Sequence, residues 1–174
     1  MVRIVYEDED EDDDQFNIKP VNSYSHLQMK GNNGSNNNSK QAKFTEKEVS
    51  FLLDNEVCRV ATSSHKSNIP HIVPVNYIYE NNFLYFATDY GTKKYQNLEK
   101  NKRIALIVDV YNSSVDNKAV VIQGTAELIK RGEEFKRLYK IFERKFEWVR
   151  ADPWKEDEAP FVKVKPGHKV SWGL

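Results

Sequence analysis

The chain has 174 residues, 26 basic and 26 acidic side chains and one cysteine, Cys58. A single cysteine excludes an internal disulfide, and no run approaches the roughly 18 apolar residues that a membrane helix needs, so neither a disulfide scaffold nor a membrane protein is expected. Charge is unevenly spread: residues 1–43 hold eight acidic and five basic residues, and residues 44–174 hold eighteen and twenty-one. That small cationic excess fits a small anionic ligand as well as it fits nucleic acid and alone decides nothing; no nucleic-acid partner is expected.

The start, Met1-Val2-Arg3-Ile4-Val5-Tyr6, lacks the basic opening and long apolar run of a secretory signal. With the lone cysteine, this predicts a cytoplasmic protein. Glu7 through Asp14 is an unbroken acidic block whose like charges resist compaction. Gly31 through Ser39 contains no apolar residue and cannot offset its chain entropy by burial. Residues 1–43 are therefore expected to be a disordered acidic and Asn-rich tail, either a solvating extension or an arm for a basic partner.

The folded domain is expected over 44–174. Thr45-Glu46-Lys47-Glu48 reads as a capping box, with Val49, Leu52 and Leu53 following at helical spacing to about Asn55. Val57 to Ser63 reads as a strand, with Cys58 as a small core residue. A turn at 65–68 leads to a second strand, Ile69 to Tyr79, and Glu80-Asn81-Asn82 turns into a third, Phe83 to Thr88. Thr92 to Lys100 is helical. Arg103 to Tyr111 and Ala119 to Ile129 are strands separated by a polar loop, and Gly124 inside the second marks a bulge or a close backbone approach. Gly132 to Trp148 carries Phe135, Leu138, Tyr139, Phe142 and Phe146 on one helical face. Phe161 to Lys165 and Lys169 to Trp172 read as two short strands around Pro166-Gly167. The fold class is mainly β: six or seven antiparallel strands closed as a barrel, with about three helices.

Three strand-like runs followed by Gly91-Thr92-Lys93-Lys94 place extended backbone, which can lie against a flat ring, beside cations, a hydroxyl and helix N–H groups. These are the groups a phosphate needs. The pattern points to a cofactor with a planar ring and an anionic tail. Lys93 and Lys94 oppose the dipole of the helix they begin, a conflict that a bound phosphate relieves. Being adjacent, at most one of them points straight at it. Arg59, on a partly buried strand, needs a partner, either that phosphate or a carboxylate such as Asp89. His26, His65, His71 and His168 have no metal-ligand spacing, so no metal site is expected, and no nucleophile–base pair stands out as catalytic.

Several pieces, in this order and spacing, resemble the pyridoxamine 5'-phosphate oxidase-like proteins, the FMN-binding split-barrel group, over roughly 44–174. They are Arg59-Val60-Ala61-Thr62, Pro70-His71-Ile72-Val73-Pro74-Val75, Tyr85-Phe86-Ala87-Thr88, Gly91-Thr92-Lys93-Lys94 with Asn97-Leu98, Arg103 through Asp109, and Gly124-Thr125-Ala126-Glu127. The resemblance implies a homodimer with flavin sites at its interface. It implies that Arg59, Val60, Ala61 and Thr62 line the flavin, that Ala87 and Thr88 add contacts, and that Thr92, Lys93 and Lys94 hold the phosphate. Trp172 either stacks on the flavin of the partner subunit or anchors the C-terminus. FMN is the cofactor implied first, 8-hydroxy-5-deazaflavin the alternative, and haem, with His168 as a conceivable ligand, comes after both. The implied activity is hydride transfer to or from a small organic substrate; the alternatives are a deazaflavin-dependent reductase and a non-catalytic flavin- or haem-binding protein. The chain lacks the C-terminal Arg-x-His pattern with which the true oxidases hold their substrate, so oxidation of pyridoxamine phosphate is not expected.

Overall fold

The computed structural model describes residues 41–112 and 117–174; the acidic block, the Asn-rich run and part of the polar loop lie outside the described residues. The elements are α1 (Glu46–Asp54), β1 (Val57–Ser63), β2 (Pro70–Asn76), β3 (Ile78–Glu80), β4 (Phe83–Ala87), α2 (Lys93–Lys100), β5 (Arg103–Val110), β6 (Lys118–Ile129), α3 (Glu133–Lys145), α4 (Glu147–Ala151) and β7 (Phe161–Trp172). Seven strands form one antiparallel sheet in the order β2-β1-β5-β6-β7-β4-β3.

The two ends of that order, β2 and β3, are consecutive in the chain with only Tyr77 between them. The sheet must therefore curl until its edges meet, the split barrel expected from the short hairpin-linked strands. Tyr77 is fully buried, its hydroxyl donates to the Leu52 carbonyl at 2.7 Å, and its N–H reaches the Glu56 carbonyl at 3.0 Å. The predicted strand Ile69–Tyr79 is thus two strands broken at this corner.

Period-2 alternation sends Cys58, Val60, Leu106, Val120, Ile122 and Val164 into the barrel, where Phe51 and Leu52 of α1 and Leu98 of α2 cap them. Phe135, Leu138 and Phe142 of α3 and Val149 of α4 cover the outer side of Tyr85 and Phe161 as a second core. The predicted helix to Trp148 is interrupted at Phe146, whose extended backbone (φ −115°, ψ 124°) ends α3 and opens α4. The two predicted C-terminal strands are one strand, β7. It passes Pro166-Gly167 by a bulge against Gln123 and Gly124 of β6, at which a Cβ on Gly124 would lie 2.1 Å from the Lys165 carbonyl oxygen. Among the described residues no helix packs on the outer face of β2, β1, β5 and β6, and Ile72 is 63 %, Val170 52 % and Trp172 38 % exposed. No helix among the described residues is long and apolar enough to cross a membrane.

The predicted capping box forms: Glu48 N–H donates to the Thr45 hydroxyl at 3.3 Å and Thr45 N–H to the Glu48 carboxylate at 2.7 Å. The buried Glu48 carboxylate also accepts from the Lys169 ammonium and from the Ser171 hydroxyl at 2.7 Å, tying α1 to β7. Burial by itself raises the Glu48 pKa, but these hydrogen bonds outweigh it and hold the carboxyl down to about 2, from an ordinary 4.5. A depressed carboxyl stabilises the fold above its unfolded pKa and ceases to as pH falls through the folded one. The melting temperature is therefore expected to drop between pH 4.5 and about 2, and more steeply than in Glu48→Gln. At neutral pH that substitution is expected to cost about 3 kcal/mol, because it leaves the Lys169 charge unpaired.

Candidate functional site

The β1–β2 hairpin sets the first half of the site. Its turn is closed by Asn68 N–H to the Ser64 carbonyl at 3.0 Å, with Asn68 at φ +56°, a backbone region that Asn tolerates. This turn pairs Ser63 with Pro70 and therefore Thr62 with His71. Both side chains of the second pair lie on the side that faces α2.

The second half is the start of α2. Thr92 is its N-cap, and its hydroxyl donates to the Asp89 carbonyl at 2.8 Å. That uses its one proton, so Thr88, 2.8 Å away, is the donor to Thr92, which also accepts from Tyr95 N–H at 3.4 Å. The Thr92 hydroxyl is thereby committed to shaping the loop. The Asn97 amide, nine-tenths or more buried, donates to the Thr62 hydroxyl at 3.0 Å and pins α2 to β1. Lys94 is three residues before Asn97 and shares its helix face.

This face is electropositive. His71 is pushed below its ordinary pKa by burial and then by the charges of Lys94 and Lys93. Burial also lowers Lys94, and Asp89 is the carboxylate that offsets it. Among the described residues neither Lys93 nor Lys94 makes an ion pair, and their backbone N–H groups, at the free end of the helix, have no acceptor. Two ammonium groups, an imidazole and open N–H donors facing one carboxylate are a donor set fitted to a phosphate.

The structure gathers Thr62, Thr88, Thr92, Lys93 and Lys94 around α2, with Ala87 beside them on β4. It does not bring the other predicted residues there. Arg59 lies on the opposite, outer face of β1, with half its side chain exposed, and its partner is Asp109 of β5 rather than Asp89. Ala61 is on that outer face too, and lines a groove of about 590 Å³ with Arg103, Gln123, Lys165 and His168. Trp172 stands on the same face, opposite Ala119 of β6. Val60 is buried in the core on a strand paired on both sides, so neither its side chain nor its backbone is open to a ligand. His71 is the addition: in the sequence it is one of four scattered histidines, and only the hairpin register sets it against Thr62. No group of three metal-ligating side chains occurs among the described residues.

A sequence model of the family described as pyridoxamine 5'-phosphate oxidase matches residues 44–168. Among solved structures, the chain is similar to a conserved hypothetical protein from Mycobacterium tuberculosis (18 % identity, TM-score 0.63, 77 % of this chain and 89 % of that one). It is also similar to an FAD-binding protein from Mesorhizobium loti (22 %, 0.59, 74 % and 94 %) and to the heme storage protein of Vibrio cholerae (13 %, 0.62, 72 % and 92 %). At these identities the likeness is one of fold. No curated protein matches the sequence.

The positive field on His71 is measurable. Neutralising both lysines in Lys93→Met/Lys94→Met is expected to raise the His71 pKa while leaving it short of the free-imidazole value, since burial persists. Titration of the imidazole carbon-bound protons by NMR checks this, and an unchanged His71 would remove the lysines from its surroundings.

Proposed function

Because the chain belongs to the pyridoxamine 5'-phosphate oxidase family, we propose that it is a flavin-dependent oxidoreductase that holds FMN at a homodimer interface and acts on a small organic substrate. The observation that carries the reading is the cluster of His71, Lys93 and Lys94, in which Asp89 is set against Lys94 and neither lysine makes an ion pair among the described residues. FMN, when bound, supplies the hydride chemistry, so the protein needs to contribute position and electrostatics rather than an acid or base of its own. Lys94 and the N–H groups of Lys93 and Lys94 hold the phosphate. Thr62 and Thr88, both buried and hydrogen-bonded, fix the two strand ends beside the ring.

The dimer reading rests on the outer face of β2, β1, β5, β6 and β7. Ile72, Val170 and Trp172 are exposed there with no helix over them, and an apolar patch of this kind favours association. Across the dimer, Trp172 of one protomer covers the flavin of the other. A second reading is haem binding, supported by His168 in the outer groove with Arg103 and Lys165: an imidazole for iron, cations for carboxylates. It shares its fold with the heme storage protein above.

The absorption spectrum of the purified protein separates these readings. FMN is expected to bind with a defined stoichiometry, and Lys94→Ala to weaken it by about tenfold to a hundredfold, the worth of a charge-assisted hydrogen bond. The FMN-loaded protein is expected to turn over no pyridoxamine phosphate; turnover near about 10 per second, an ordinary enzyme rate, would overturn that part. Light scattering is expected to give twice the chain mass of 20.3 kDa, and a monomer with FMN bound would exclude the interface site.

A further inference from the structure

Behind the end of β4 lies a cavity of about 260 Å³ that the flavin reading leaves unused. One wall is Ala87, Thr88 and Asp89; the other is Trp148 of α4, Asp152 at its C-cap, and Trp154 and Glu158 of the loop after it. The two indoles lie parallel, with ring planes 3° apart and centroids 5.8 Å apart. Tyr139 and Phe161 hold Trp154 from the side at 5.1 and 5.6 Å. Both indole Nε1–H groups are buried, and among the described residues neither has an acceptor. With no accessible surface, neither can be reached from the cavity, so what the two tryptophans offer a ligand there is their aromatic surface.

Charge narrows the class. The protein side chains with full charge around the cavity are Asp89, Asp152 and Glu158, all acidic. Glu158 is occupied by Lys155 N–H at 2.8 Å, and Asp89 lies in the field of Lys94. Asp152 forms no ion pair among the described residues. Anions are repelled here, and aromatic faces beside carboxylates attract cations. A cavity of about 150 Å³ holds a benzene ring, so this one holds a single substituted ring or two small fused ones.

We propose that this cavity is a subsite for a planar, non-anionic aromatic molecule that lies against the two indoles and brings a positive charge to Asp152. Ala87 and Thr88 also belong to the proposed flavin site, so the molecule would lie against the cofactor as its substrate. That last step rests on the flavin reading; the binding itself does not.

The full chain, with and without FMN, is titrated with probes of one size while the indole Hε1 resonances are followed by NMR. Trp172, the third tryptophan, stands on the outer sheet face and serves as the internal control in the titration without FMN. 1-Methylnicotinamide, a cationic planar ring, is expected to shift Trp148 and Trp154 and, without FMN, to leave Trp172 in place. Nicotinamide, nearly the same molecule without the charge, is expected to bind several-fold more weakly, and benzoate not at all. Trp154→Phe and Asp152→Asn should each weaken 1-methylnicotinamide several-fold without changing FMN affinity. If no probe moves either indole, or if benzoate binds as well as the cation, the proposal is overturned. Shifts in a protein that binds no FMN would keep the subsite and remove the flavin reading; FMN binding with silent indoles would do the reverse.

Discussion

Between Asn76 and Ile78 the chain has one residue in which to leave one edge of the sheet and join the other, and that residue is Tyr77. Its side chain fills the corner, and its hydroxyl reaches back to the last turn of α1 at the Leu52 carbonyl. The order of all seven strands follows from this passage, because β2 and β3 can be neighbours in sequence and opposite ends in the sheet only if the sheet curls. Curling brings the hairpin of β1 and β2 over the loop that follows β4. His71 and Thr62 then meet the start of α2, although more than twenty residues separate them from Lys94 in the sequence. The positive cluster is a product of barrel closure.

Two lysines in this fold show opposite solutions to the same problem. Lys169 loses water on β7, but Glu48 receives it, and Ser171 and Thr45 complete the carboxylate's hydrogen bonds. A partly buried pair completed in this way secures one geometry, and breaking it costs far more than an exposed pair is worth. Lys94 loses water as well, beside Lys93 and His71, and among the described residues no ion pair completes it. The fold retains an arrangement that local electrostatics disfavour. A ligand whose phosphate meets these groups removes the penalty, which is the physical content of a prepared site.

Local rules were readable from the residues alone. The capping box at Thr45 is side-chain chemistry within three residues, and it forms. The glycine at 124 marks a bulge, as an interior strand glycine suggests, because β7 presses its Lys165 carbonyl against it. Pairings between distant residues were not readable. The strand pattern continues through Tyr77, so nothing local marks a corner that only closure creates. Arg59 was paired with Asp89 or a phosphate because alternation says which residues share a face and not which strand lies alongside; β5 does, and it carries Asp109. Val60 shows the converse, since along a line of four strand residues every second side chain points into the core. His71 becomes visible once Ser63 is paired with Pro70.

Asp89 is the residue at which the proposed cofactor and substrate sites meet. It offsets the charge of Lys94 on one side and lines the tryptophan cavity on the other, and its carbonyl accepts the hydroxyl of Thr92, which caps α2. With the cradle free, its carboxylate is turned electrostatically toward the lysine. A phosphate on α2 supplies Lys94 with a second and closer negative charge, so more of the Asp89 field is left for the cavity. On the proposed reading, cofactor and a cationic ring then favour each other through one carboxylate, and linkage requires the effect to be equal in both directions. The same logic excludes a phosphorylated substrate from the cavity, because its phosphate would meet Asp89, Asp152 and Glu158 while the cations stand on the other side of the Thr88–Thr92 hydrogen bond.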